Sequence, residues 1–183
     1  GFPQVEEEED RQGMVEIKHL MGHYGFWADV PKRNPGVLMD TCAGGGCRID
    51  IETSPMGYFL WRSDLNDLGE GLKGEDYWPY MALADQVMVT GISLYVPFHT
   101  GPTWDMCPYS FRSAMATGAV FYGDMDAPRF SDDLARQAIA ELKELRHLYL
   151  GDIYPLLALT TDQKDWYAYQ LDRPDLEEGC ALF

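Results

Sequence analysis

A short apolar strand that runs straight into three consecutive glycines is the feature that most constrains this fold. The strand, Val37–Asp40, is followed by the turn Cys42-Ala-Gly-Gly-Gly-Cys-Arg48, and a second apolar strand, Tyr58–Arg62, continues into Ser63 and Asp64. Polar residues and glycines at strand ends are typical of parallel (β/α) barrels, which carry their chemistry at the carboxyl ends of the strands. Glycines there let the backbone turn sharply and let a ligand approach the main chain.

Helical and strand patterns alternate along the chain. The predicted helices are Arg11–Arg33, a short turn in Ile49–Met56, Glu75–Thr90, Tyr109–Thr117, and a helix capped by Ser131 that runs to about His147. The predicted strands are Val37–Asp40, Tyr58–Arg62, Ile92–His99 and Ala119–Tyr122, followed after Asp152 by Trp166–Leu171 and Gly179–Phe183. Such alternation favours a parallel sheet of βαβ units.

The length of the chain limits how much of a barrel it can form. A complete (β/α)8 barrel needs about 250 residues and eight strands, and the barrel-type strands predicted in these 183 residues number four. We therefore predict an α/β fold. Residues 1–152 are expected to form a parallel half-barrel of about four βα units of the TIM type, and residues 153–183 to begin a C-terminal β domain or tail.

The charge of the chain disfavours two classes of partner. Lys and Arg number 14 against 30 Asp and Glu, which gives a net charge of −16. Phosphate repulsion then opposes binding to nucleic acid or to an anionic membrane. No apolar run approaches the roughly 20 residues of a membrane span, and the lack of a visible signal peptide favours the cytoplasm. An acidic, aromatic-rich chain suits a neutral, polyhydroxylated ligand.

The four cysteines predict neither a metal site nor a disulfide framework. They contain no Cys-x-x-Cys pair, and the four histidines do not cluster near them. Zinc sites in proteins usually combine such groups at close spacing. We expect no metal and no cofactor. No histidine is placed by the sequence to activate Cys42, so this residue is interpreted as a thiol that lines a pocket.

Asp64 is the leading candidate for acid/base chemistry. It follows an apolar strand and lies beside Trp61, and a carboxyl group partly walled by an aromatic ring suits a general acid. A helix N-cap or a salt bridge to Arg62 is the structural alternative. Three further polar residues stand at strand ends and could take part or simply hydrogen-bond at the rim. They are Asp40, His99 and Asp124.

These motifs together resemble retaining α-galactosidases of glycoside hydrolase family 36. The resemblance covers nearly the whole sequence, and the glycine turn and the Trp-x-Ser-Asp strand end are specific in combination. The matching segments are Asp10–Lys18, Cys42–Arg48 with Asp50, Trp61–Asp64, Ser93–Pro97, Phe111–Ser113, Trp166–Gln170 and Arg173–Asp175.

The resemblance implies roles for individual residues. Asp64 would be the acid/base, Trp61 would line the sugar subsite, and Cys42 and Gly45 would contact the sugar hydroxyls. Arg48 and Asp50 would brace the loop. Gly44 and His99 complete the predicted substrate-binding set because of their places in the glycine turn and at a strand end.

The resemblance also implies a nucleophile that this sequence does not supply. In the family it is an Asp on the barrel strand before the helix that corresponds to Arg11–Arg33. Asp40 and Asp124 are candidate substitutes. A half-barrel alone would have open strand edges, so we expect the chain to form a homo-oligomer that completes the barrel, or else to be part of a longer enzyme.

The sequence therefore predicts a glycoside hydrolase of the α-galactosidase type, which cleaves terminal α-linked sugars by carboxylate catalysis. The alternative is a non-catalytic carbohydrate-binding or assembly module derived from such an enzyme.

Overall fold

The fold is seen in a computed structural model, which describes residues 9–42, 44–57, 61–64, 77–103, 107–121, 125–126 and 130–183. The chain divides into two compact units. The first is drawn from Gly1–Met39 and Asp50–Gly57, and the second from Asp40–Ile49 and Tyr58–Phe183.

The first unit is built on one long helix. Helix α1 spans Met14–Arg33, after a short 3-10 turn at Glu9–Arg11, and a second 3-10 turn covers Ser54–Met56. The Lys32 and Arg33 side chains pair with Asp29 at 3.4 and 3.2 Å in the last turn, where positive charge complements the helix dipole. The predicted helix is confirmed, with its start at Met14.

Three helices lie within the described residues of the second unit. Helix α2 spans Tyr77–Ser93, α3 spans Pro108–Ala114, and α4 spans Asp132–Leu145. The Ser131 side chain accepts a hydrogen bond from the Leu134 amide, as a helix N-cap does, so the predicted cap is confirmed. A 3-10 turn at Arg146–Leu150 follows.

The predicted strand Ile92–His99 is wrong. Helix α2 continues to Ser93, and the amides of Tyr95 and Val96 bond to the Ile92 carbonyl at 2.9 Å. Among the described residues, the first strand comes later, at Pro102–Thr103. A continuous apolar run fits the end of a helix as well as a strand, and periodicity alone could not separate the two.

A parallel pair of strands lies in the second unit. Strand β1, Pro102–Thr103, pairs with β2, Val120–Phe121, with Pro102 opposite Val120. The Arg62 amide donates to the Thr100 carbonyl at 3.0 Å just before β1. The fold is thus mixed α/β with a parallel element. Val37–Asp40 contributes only a bridge at Asp40, and Tyr58–Leu60 lies outside the described residues.

A separate antiparallel sheet lies at the C-terminal end of the described residues. Strands β3, Asp152–Pro155, β4, Tyr169–Arg173, and β5, Glu178–Leu182, lie in that order. The two C-terminal strands were predicted close to these bounds, but β3 was missed. Its side chains are mostly exposed and it ends in a proline, so it carries no clear apolar alternation.

The core of the second unit joins the helices to this antiparallel sheet. Side chains from α2, α3, α4 and the sheet pack into one apolar cluster. Its buried members are Val89, Phe111, Met115, Leu142, Leu148, Tyr149, Tyr167, Tyr169 and Leu171. Within the described ranges, no helix combines the length and apolarity that a membrane crossing requires.

Candidate active site

Three successive glycines adopt a backbone conformation that other residues rarely take. The φ angles of Gly44, Gly45 and Gly46 are 51, 51 and 84°, all in the left-handed region where a side chain is strained. The Cys47 thiol donates to the Gly44 carbonyl at 2.9 Å, and the Ile49 amide donates to the Gly46 carbonyl at 3.0 Å. These bonds close the turn.

The glycine turn packs directly on the backbone that leads to Asp64. A Cβ atom on Gly45 would lie 2.0 Å from the Asp64 amide nitrogen and 2.8 Å from its Cγ. One on Gly46 would lie 2.6 Å from the Arg62 carbonyl oxygen. Only glycine fits at these two positions. The structure therefore brings together the predicted sugar-binding turn and the predicted acid/base residue.

The predicted site residues differ in exposure. Asp64 is exposed, and Trp61 and Gly45 are partly buried. Four further predicted residues are exposed, and Asp124 lies outside the described residues. The exposed ones are Asp40, Cys42, Gly44 and Arg48.

A buried ion pair involves Arg62, which lies two residues before Asp64. The Arg62 guanidinium bonds to the Asp85 carboxylate at 2.7 Å, and the two side chains are 1% and 6% exposed. A second Arg62 nitrogen donates to the Ala114 carbonyl at 3.3 Å. The guanidinium is thus directed at α2 and α3. Arg62 pairs with Asp85, whereas the sequence had left open a salt bridge between Arg62 and Asp64.

Asp85 was missed by sequence reasoning. It is the single charged residue in the sequence of α2, Tyr77–Ser93. A lone carboxylate within an apolar helix is a recognisable signal, because a buried charge requires a partner. The sequence did not reveal which of the chain's cations would supply it.

His99 is buried and neutral. Its Nε2 lies 2.7 Å from the Ser93 hydroxyl, and its amide donates to the Thr117 hydroxyl at 3.2 Å. Burial, reinforced by the nearby Arg62 charge, lowers the pKa of His99 to about 3. His99 as a whole is 3% exposed, so its ring is largely shielded from solvent, whereas the Asp64 side chain is exposed.

A separate cavity of about 670 Å³ lies elsewhere in the second unit. Its wall joins α3 and α4 to the C-terminal strands and includes Cys107, Cys180, Tyr167 and Tyr169. None of the predicted site residues that the structure describes lines it. Across the described part of the chain, no three His, Cys, Asp or Glu side chains are grouped as metal ligands would be.

The chain is similar to three alpha-galactosidases. It is 25% identical over 161 residues to Mel36A of Lactobacillus acidophilus, 27% identical over 165 residues to alpha-galactosidase 1 of Pediococcus pentosaceus, and 25% identical over 174 residues to AgaA of Geobacillus stearothermophilus. No protein-family model matches the chain.

The matches cover most of this chain but a small part of each relative. They take in 86%, 86% and 91% of the chain and 21%, 22% and 23% of the three relatives. The chain therefore spans about a fifth of the length of these alpha-galactosidases. Such homologues support a glycoside hydrolase-like origin.

Proposed function

We propose that this chain carries the acid/base side of an α-galactosidase-type active site that cleaves terminal α-linked sugars. The observation that carries the proposal is the contact between Gly45 and Asp64. A Cβ on Gly45 would lie 2.8 Å from the Asp64 Cγ, so the carboxyl group stands directly beside the turn that is predicted to bind the sugar. The three alpha-galactosidase homologues support the same reaction class.

In this proposal Asp64 protonates the glycosidic oxygen as the bond to the leaving group breaks. It then takes a proton from the water that completes hydrolysis. Its exposure leaves the carboxyl accessible to a substrate. Trp61 lines the sugar subsite, and Cys42, Gly44 and Gly45 contact the sugar hydroxyls. Arg48 braces the loop.

Retaining hydrolysis also needs a nucleophilic carboxylate about 5–5.5 Å from the acid/base. Asp40, which is exposed, and Asp124 are the proposed substitutes within the chain. The alternative source is a carboxylate of a second copy, or of further residues in a longer protein.

The proposed architecture is a half-barrel in residues 1–152 with a C-terminal β segment in 153–183. A second copy would then complete the barrel as a homo-oligomer. Light scattering tests this directly, because a dimer has twice the chain mass of 20.8 kDa. A single species at the chain mass would refute self-association.

The decisive experiment compares hydrolysis of para-nitrophenyl α-galactoside by the wild-type chain, by Asp64→Asn and by Asp133→Asn. Asp133 is an exposed carboxylate in the first turn of α4, which makes its variant a matched control. We expect Asp64→Asn to lose about 100-fold or more of the rate, as removal of a general acid does. The Asp133→Asn variant and the wild-type chain should hydrolyse equally.

Two results would contradict this assignment. Full activity of Asp64→Asn would remove Asp64 from the chemistry. Galactose binding by the wild-type chain without any turnover, followed by calorimetry, would instead favour the non-catalytic carbohydrate-binding module.

A further inference from the structure

We propose that Asp85 is a positioning residue for Asp64 and acts through Arg62. The inference rests on the proposed function, since it assigns Asp85 a part in that reaction. Asp85 lies on α2 and touches the Arg62 guanidinium at 2.7 Å, while Arg62 precedes Asp64 by two residues in the segment Trp61–Asp64.

Arg62 is held at three points. Its amide donates to the Thr100 carbonyl at 3.0 Å, and its guanidinium bonds to Asp85 and to the Ala114 carbonyl. Gly101 packs against the guanidinium so closely that a Cβ there would lie 2.6 Å from the Arg62 Cζ. These attachments leave the side chain a single arrangement.

The position of Arg62 sets that of Asp64 because the glycine turn touches both residues. The turn meets the Arg62 carbonyl through Gly46 and the Asp64 amide through Gly45, at positions where even a methyl group would clash. A shift of Arg62 therefore cannot be absorbed within the segment. It moves the Asp64 carboxyl relative to the turn.

Stability alone does not account for such a pair. A buried ion pair is often no more stabilising than apolar residues of similar volume, because both ions lose their hydration. What the pair adds is direction, because the guanidinium is held at two nitrogens, one by Asp85 and one by the Ala114 carbonyl. Displacement of a reacting group by about 1 Å can cost about 100-fold in rate.

The test separates positioning from folding by the choice of leaving group. An alkyl α-galactoside needs a proton from the acid, whereas a dinitrophenyl α-galactoside has a leaving group that departs without one. A misplaced Asp64 lowers kcat/KM, which reports cleavage of the bond to the leaving group, about 100-fold for the first substrate and less than about tenfold for the second. Partial unfolding slows both by the same factor.

The variants are Asp85→Asn and the double variant Arg62→Met with Asp85→Leu, with Asp133→Asn as control. The single variant leaves the Arg62 charge buried without this partner and risks unfolding. The double variant removes both charges and keeps an apolar interior. Equal losses on the two substrates, or wild-type rates on both in the folded double variant, would overturn the positioning role.

Amide hydrogen exchange provides a readout that does not depend on activity. We expect the variants to exchange faster in peptides covering residues 44–49 and 61–64 than the wild type, with α4 unchanged. If the wild-type chain hydrolyses neither substrate, hydrolysis by this chain alone is refuted, and exchange decides whether Asp85 orders the segment. Unchanged exchange in both peptides would refute the inference in every case.

Discussion

Replacement of the buried histidine makes a sharp prediction about stability and pH. His99 has an ordinary pKa of 6.5 that burial lowers to about 3 in the folded chain. Between these two values the unfolded chain binds a proton at His99 that the folded chain excludes. The free energy of unfolding therefore falls as the pH falls through this window.

The magnitude follows from the two pKa values. Each pH unit of difference is worth about 1.36 kcal/mol, so His99 costs the folded state roughly 5 kcal/mol once the pH is below about 3. Between pH 7 and pH 5 the loss is about 2 kcal/mol. Carboxylates whose pKa is lowered by hydrogen bonds, such as Asp50 and Asp175, lose their contribution only as the pH falls below 3.8.

Urea unfolding of the wild type and of His99→Gln at pH 7, 6 and 5 measures the effect. Between pH 7 and pH 5, the free energy of unfolding should fall by about 2 kcal/mol less in the variant than in the wild type. Ser93→Ala is the control. It removes the hydrogen bond to the ring but keeps His99 buried, so it should lower stability by about 1 kcal/mol and retain the pH dependence. Equal pH dependence in wild type and His99→Gln would refute the reasoning.

Three further predictions follow from named positions. Gly45→Ala should destabilise the chain by more than about 1–2 kcal/mol. Gly91→Ala in α2, where a Cβ meets no atom within 4 Å, should be neutral or stabilising by up to about 1 kcal/mol. Similar free energies of unfolding for the two variants in chemical denaturation would contradict this. Burial raises the pKa of Tyr169 to about 12, so stability should fall as the pH rises above 10, and Tyr169→Phe should reduce that loss. Burial also raises the pKa of the Cys180 thiol, so iodoacetamide should label it more slowly than exposed Cys42, and equal rates at pH 8 would argue against it.

Sequence patterns predicted the elements whose geometry depends on residues close together in the chain. Helix α1 follows from apolar spacing, and α4 follows from the Ser131 cap. The glycine turn was expected to bend the backbone sharply, and Gly44, Gly45 and Gly46 do adopt positive φ angles. In each case a few neighbouring residues settle the geometry.

Features that depend on contacts between residues far apart in the sequence could not be predicted from such patterns. The run Ile92–His99 was assigned to a strand because its apolar residues do not show which element surrounds them, and α2 extends to Ser93 instead. Arg62 and Asp85 are separated by 23 residues, and only tertiary packing brings them together. His99 was predicted to bind substrate at the rim, and the structure buries it against Ser93.

The link between α2 and the antiparallel sheet has a consequence for biosynthesis. Tyr167 donates a hydrogen bond to Thr90, which lies 77 residues earlier in the chain, and Val89 and Thr90 are fully buried. At a translation rate of about 5–20 residues per second, these partners are made roughly 4–15 s apart. During that interval the apolar side of α2 has no sheet to cover it, so a nascent chain should depend on chaperones until β4 has been synthesised.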